Sequence, residues 1–162
     1  MIILSLDLSL SSTGYAVANV VDGEIDLLEK GHINNKKFAK RSQSFRLHRI
    51  ATVLKDLFKR YPIEVVVKEK GFSKGHISTQ ALFKVAGVAD LMCFSFGHET
   101  IEEYTVASIK KAVTGNGKAD KQEVADNLHL YVGEIEYETD DESDAVAVLV
   151  TYCIDKGLIR DY

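Results

Sequence analysis

Ile2-Ile3-Leu4-Ser5-Leu6-Asp7-Leu8-Ser9-Leu10-Ser11-Ser12-Thr13-Gly14-Tyr15 is the stretch on which the reading of this chain turns. Its apolar opening predicts a buried strand that ends on one carboxylate, Asp7. Ser9 to Gly14 predict a turn, and Tyr15-Ala16-Val17-Ala18 the start of a second strand. An acid where a core strand meets a small-residue turn has two readings. It is an Asx-type turn residue, or it is paired with a cation or a hydrogen-bond network, because burying it alone is costly.

Working outward, Asp22-Gly23 between apolar runs predicts a tight hairpin into a third strand from about Glu24 to His32. The segment from Lys36 to Arg60 carries nine bases against Asp56 alone. Leu47, Ile50, Ala51, Leu54, Leu57 and Phe58 recur in it at helical spacing, which predicts an amphipathic helix with a basic outer face. Such a face is either simply solvated or turned toward phosphate.

After Pro62, Ile63 to Glu69 reads as a β-branched core strand that again ends on a carboxylate, Glu69. Ile77 to Phe96 predicts a helix apolar nearly all round, buried on more than one side at the centre of the fold or at a subunit interface. Gly87 inside it is explained by close helix packing. A short strand at Ile101–Thr105, a helix at Val106–Val113 and a helix at Lys121–Leu130 follow, with Tyr131–Glu138 as an acidic loop. In the glycine-bearing loop Thr114 to Lys121, Lys118 and Lys121 are candidate phosphate contacts. The loop lacks the length and preceding strand of a Walker motif.

The last element opens with Asp140-Asp141-Glu142-Ser143-Asp144 and continues apolar to Cys153. On a helix Asp141 and Asp144 share a face in the first turn. Acids there cap helices, but four in five positions exceed what capping needs, and a divalent cation between them relieves the repulsion. If the first and fourth strands are neighbours, Asp7, Glu69, Asp141 and Asp144 converge without histidine or cysteine. An all-oxygen set suits Mg²⁺ or Mn²⁺ and not zinc. Two such ions would support phosphodiester hydrolysis.

The bulk numbers agree with a single domain over residues 1–162, having 46% hydrophobic and 27% charged residues and a net charge of −4. No apolar run is long enough to span a membrane, and the amino-terminal strand does not read as a signal peptide, so a cytoplasmic location is expected. Cys93 and Cys153 sit in apolar helical patterns as small hydrophobes.

The same residues carry a family resemblance. Asp7 with Ser-Thr-Gly-Tyr, Glu69 with Gly-Phe, then Lys110, Lys118 and Lys121, then Asp141-x-x-Asp144-Ala-Val-Ala resemble, in order and spacing over nearly the whole chain, RuvC, the Holliday junction endonuclease family. The short form is similar to phage-encoded members. The opening turn departs, with Asp7-Leu8-Ser9-Leu10 in place of Asp-Pro-Gly-Ser, and Lys68 puts a charge where an apolar residue is usual. The resemblance implies an α/β, RNase H-like three-layer fold with a central mixed five-stranded sheet flanked by helices. It implies a homodimer through the 77–96 helix, cutting four-way and other branched DNA with two Mg²⁺ ions per site (Mn²⁺ substituting) and no small-molecule cofactor. By position, Asp7, Glu69, Asp141 and Asp144 match the catalytic metal-binding acids. Phe72, Lys74, Lys110, Lys118 and Lys121 match DNA-facing positions, Phe72 as a base-stacking aromatic. Two other readings compete: a non-catalytic module that binds branched DNA, and a nucleotide-binding domain related to actin-like ATPases, whose first phosphate loop resembles the Asp7 turn. The second needs another domain that 162 residues do not hold.

Overall fold

Alternation along β1 (Ile2–Asp7) sorts its side chains between two cores. Ile3 packs in one apolar cluster and Leu4 and Leu6 in the other, so Ser5 and Asp7 share the face of Ile3. The structure is a computed structural model that describes residues 1–71 and 76–160. β1 pairs antiparallel with β2 (Ser12–Val21), which pairs antiparallel with β3 (Glu24–Asn34). On its other side β1 pairs in parallel with β4 (Val65–Glu69), which pairs in parallel with the short β5 (Glu102–Tyr104). The sheet order is β3-β2-β1-β4-β5. This is the mixed five-stranded sheet expected.

Helices cover both faces, which makes the three layers. α1 (Gln43–Arg60) and α2 (His76–Ser95) lie on the face of Leu4 and Leu6, through Ile50, Leu54, Leu57, Val85, Ala89 and Cys93. The other face carries α3 (Val106–Thr114), α4 (Lys121–Asn127), α5 (His129–Val132) and α6 (Asp140–Asp155). α6 is buried on nearly every side from Ala145 to Cys153, which its small and β-branched residues permit. The hairpin turns at Asp22 and Gly23, both at positive φ, as an Asp-Gly type I′ turn requires. Cys93 and Cys153 are free, buried in different cores, and burial pushes both thiols up to about 12.

Several boundaries differ from the sequence reading. The basic helix begins at Gln43, not near Lys36, because Ser42 caps it by accepting from the Phe45 N–H, and a short 3-10 turn occupies Lys36–Phe38. Lys121–Leu130 is broken into α4 and α5, so Tyr131 and Val132 leave the expected loop. α2 buries one side only within the protomer: Phe83, Leu91 and Phe94 are 71%, 66% and 61% exposed. Gly87 has open space around its Cα, so no packing inside the protomer explains it. No described helix is long and apolar enough to cross a membrane.

Candidate metal centre

Strand register brings the first two acids together. Leu6 is paired with Lys68, so Asp7 and Glu69, one residue on in parallel strands, leave the sheet side by side on the α6 face. Lys68 points to the opposite face, where it is buried and its ammonium lies 3.4 Å from Glu103 and 3.8 Å from Asp90. The charge that departs from the family pattern is thus held away from Glu69.

α6 supplies the other two acids, and three contacts fix its first two turns. Ser5 Oγ donates to the carbonyl of Ala145 at 2.7 Å. A Cβ on Gly14 would collide with the carbonyl of Asp141, so only glycine allows the helix to lie this close to β2. Glu142, 3% exposed, accepts from Lys30 Nζ at 2.7 Å and from the Glu138 N–H at 3.0 Å, and its other oxygen lies 3.2 Å from His32 Nδ1. Burial raises the Glu142 pKa, but these hydrogen bonds, led by Lys30, outweigh it and hold the carboxyl below the usual range.

Asp7, Glu69 and Asp144 line one cavity of about 180 Å³ with Lys110 and Lys121. That volume suits ions, water and one phosphate, and falls short of the space that drug-sized ligands fill. Asp7 and Glu69 also form the wall of a second cavity, lined beyond them by Lys70, Gly71 and Leu82. Asp141 stands at the side, its carboxylate accepting from Ser12 Oγ at 2.6 Å. Burial pushes Asp7 up to about 8, and the charges of Glu69, Asp144 and Asp141 push the same way. Burial, then Asp144, raises Glu69. Burial also raises Asp144, against the pull of Lys121. Lys121 sits at the first position of α4, which a reciprocal Asp120/Glu123 capping box anchors, and it donates to Asp144 at 2.8 Å. Carboxylates this crowded, with lysines as the nearby cations, fit an oxygen-only divalent site.

Lys118 is exposed on the loop before α4 and does not line the cavity. Phe72 and Lys74 lie outside the described residues. Reading the sequence alone gave Ser12, Gly14, Lys30 and His32 no part in the site. It grouped Glu142 with the metal-attracting acids, whereas helical rotation turns this residue toward β3. His32, Glu138 and Glu142 do approach within metal-binding distance of one another. However, Lys30 already pairs with Glu142, the buried carboxylate of the three, and the cluster reads as a salt-bridged anchor.

Known proteins resemble this chain throughout its length. The family model described as crossover junction endodeoxyribonuclease RuvC matches residues 3–152. Crossover junction endodeoxyribonuclease RuvC of Orientia tsutsugamushi (strain Boryong) is 31% identical over 159 residues, covering 98% of this chain and 98% of the relative. That of Synechococcus sp. (strain WH7803) is 33% identical over 155 residues, covering 93% and 97%. In fold, the T. thermophilus RuvC in complex with Holliday junction substrate superposes with a TM-score of 0.86 at 21% identity, covering 100% of this chain and 99% of that one.

Proposed function

The chain belongs to the RuvC family of crossover junction endodeoxyribonucleases, and from that premise we propose that it resolves Holliday junctions, with Asp7, Glu69, Asp141 and Asp144 as its metal-binding catalytic acids. The observation that carries this reading is the meeting of Asp7, Glu69 and Asp144, from β1, β4 and α6, in one small cavity with Lys110 and Lys121. Asp7, Glu69 and Asp144 would hold two Mg²⁺ ions, with Mn²⁺ able to substitute, and Asp141 would join them from the rim. Bound there, divalent ions supply an activated water and offset the charge on the leaving 3′ oxygen.

The chain's own groups position the substrate. Lys110 and Lys121 draw a phosphate over the cavity, while Lys118 holds the flanking backbone as a point charge. Ser12 orients the Asp141 carboxylate, and the Glu142 anchor keeps the first turn of α6 at fixed height above β1. The enzyme works as a homodimer. Phe83, Gly87, Leu91 and Phe94 form one stripe on the exposed side of α2, spaced for a second copy to pack against. A two-fold axis there sets the two sites on two strands of one junction. By the family resemblance Phe72 and Lys74 would contact the junction, and the reaction takes place in the cytoplasm.

The test is an end-labelled four-way junction incubated with the protein in Mg²⁺, with EDTA and linear duplex as controls. Paired, symmetric, metal-dependent nicks support the reading. Tight binding without cutting in Mg²⁺ or Mn²⁺ reassigns the protein to a binding module.

A further inference from the structure

We propose that the segment from Lys36 to Arg49 is a second DNA contact, a cradle for the phosphate backbone of a junction arm outside the cavity; this rests on the reading above. The charge distribution points there first. The chain has 24 acids and 20 Lys+Arg, yet no acid occurs between Glu29 and Asp56. Lys36, Lys37, Lys40, Arg41, Arg46 and Arg49 fall inside that gap. Among the described residues none of the six forms an ion pair. A protein with acids to spare leaves this group unneutralised.

The group is also organised. Phe38 and Phe45 meet edge to face, with ring centroids 5.3 Å apart. The Arg41 guanidinium lies 3.8 Å from the Phe45 centroid and that of Arg49 4.4 Å from the Phe38 centroid. Guanidiniums held on aromatic faces lose less freedom on meeting a phosphate than free ones. Arg46 Nε is buried without a hydrogen-bond partner among the described residues. That leaves a donor in the cradle unsatisfied.

Placement supplies the third argument. β3 runs in the same direction as β1 and β4, so the cradle that follows its last residue, Asn34, lies at the end of the sheet where β1 and β4 finish on Asp7 and Glu69. Asn35 ties it there: Arg49 Nε donates to its side-chain oxygen at 2.8 Å. Its own amide donates to the carbonyls of Leu10 and Arg46 at 3.0 and 3.1 Å. Leu10 is three residues past Asp7, a span of at most about 11 Å. Asn35 therefore lies well inside one DNA helical turn, ~34 Å, of Asp7, within reach of an arm whose scissile phosphate sits over the cavity.

The experiment pairs protein charge with DNA charge. The wild type and a variant with Lys36, Lys37, Lys40 and Arg41, all exposed, changed to alanine bind a four-way junction over a range of salt. The same junction is then used with uncharged methylphosphonate linkages placed, one arm at a time, within a helical turn of the cut. The variant should bind the normal junction about tenfold or more weakly, with a salt slope lower by about 2 to 4. The neutral linkages in one arm should weaken the wild type and leave the variant unmoved. K37E/K40E should weaken binding further. An unchanged slope, or losses from variant and linkages that simply add, would overturn the cradle. A wild type that neither binds nor cuts junctions would instead overturn the proposed function itself.

Discussion

The carbonyl oxygen of Asp141 occupies the place where a side chain on Gly14 would begin. This contact sets the height of α6 over β2, and Asp141 and Asp144 ride on that turn. Backbone cannot yield as a flexible side chain does. Gly14→Ala should therefore lower stability by about 1–3 kcal/mol and cut nuclease activity far more than the remaining folded fraction explains. Thermal melting beside a single-turnover assay separates the two.

Glu142 should behave as a buried ion-pair member and not as a metal ligand. Removing it in Glu142→Ala strands Lys30 and should cost about 3 kcal/mol. Adding Lys30→Met to that change should recover part of the loss, because the orphaned charge goes with it. Denaturant unfolding of both variants gives the comparison. Equal stability of Glu142→Ala and wild type would remove the anchor from the account.

Crowding of the carboxylates gives a pH signature. Asp7 is raised to about 8 by burial, and further by Glu69, Asp144 and Asp141. The folded, metal-free state thus binds a proton that the unfolded chain has released. Where the native state holds more protons, stability falls as pH rises. The metal-free protein should lose stability between about pH 4 and 8, and Asp7→Asn should flatten that dependence. Melting temperatures across the range in EDTA check it.

Lys121 donates to Asp144, so an ion bound by that carboxylate must displace or share the contact. Lys121→Met should tighten Mn²⁺ binding measured by calorimetry while slowing cutting by about tenfold or more. Weaker Mn²⁺ binding would mean that the lysine supports the site and does not compete for it.

The acids were legible in the sequence because each ends a strand or opens a helix, places that hydrophobic patterning marks. Sequence offered two core strands that each hand a carboxylate to a loop, but only the parallel pairing of β1 with β4 brings Asp7 beside Glu69. The anchor was not legible. Val17 pairs with Glu29 and Ala18 with Leu27, so Leu28 is bulged out and the alternation of β3 flips. Without that flip Lys30 and His32 cannot be assigned to the α6 face. Nor does sequence show that Gly14 faces a helix turn 127 residues away, since its φ is unremarkable and no turn demands glycine. The start of α1 was missed because the basic run continues through the 3-10 turn, and the cap at Ser42 is a single residue among many polar ones.

The central claim is that Asp7 helps to hold the metal that cuts the junction. The most direct measurement compares Asp7→Asn with wild type on a four-way junction, recording affinity in EDTA and single-turnover cutting in saturating Mg²⁺. The account predicts junction affinity close to wild type and cutting slowed by on the order of a thousandfold or more. A variant that cuts at the wild-type rate would contradict it, and the metal centre would have to lie elsewhere.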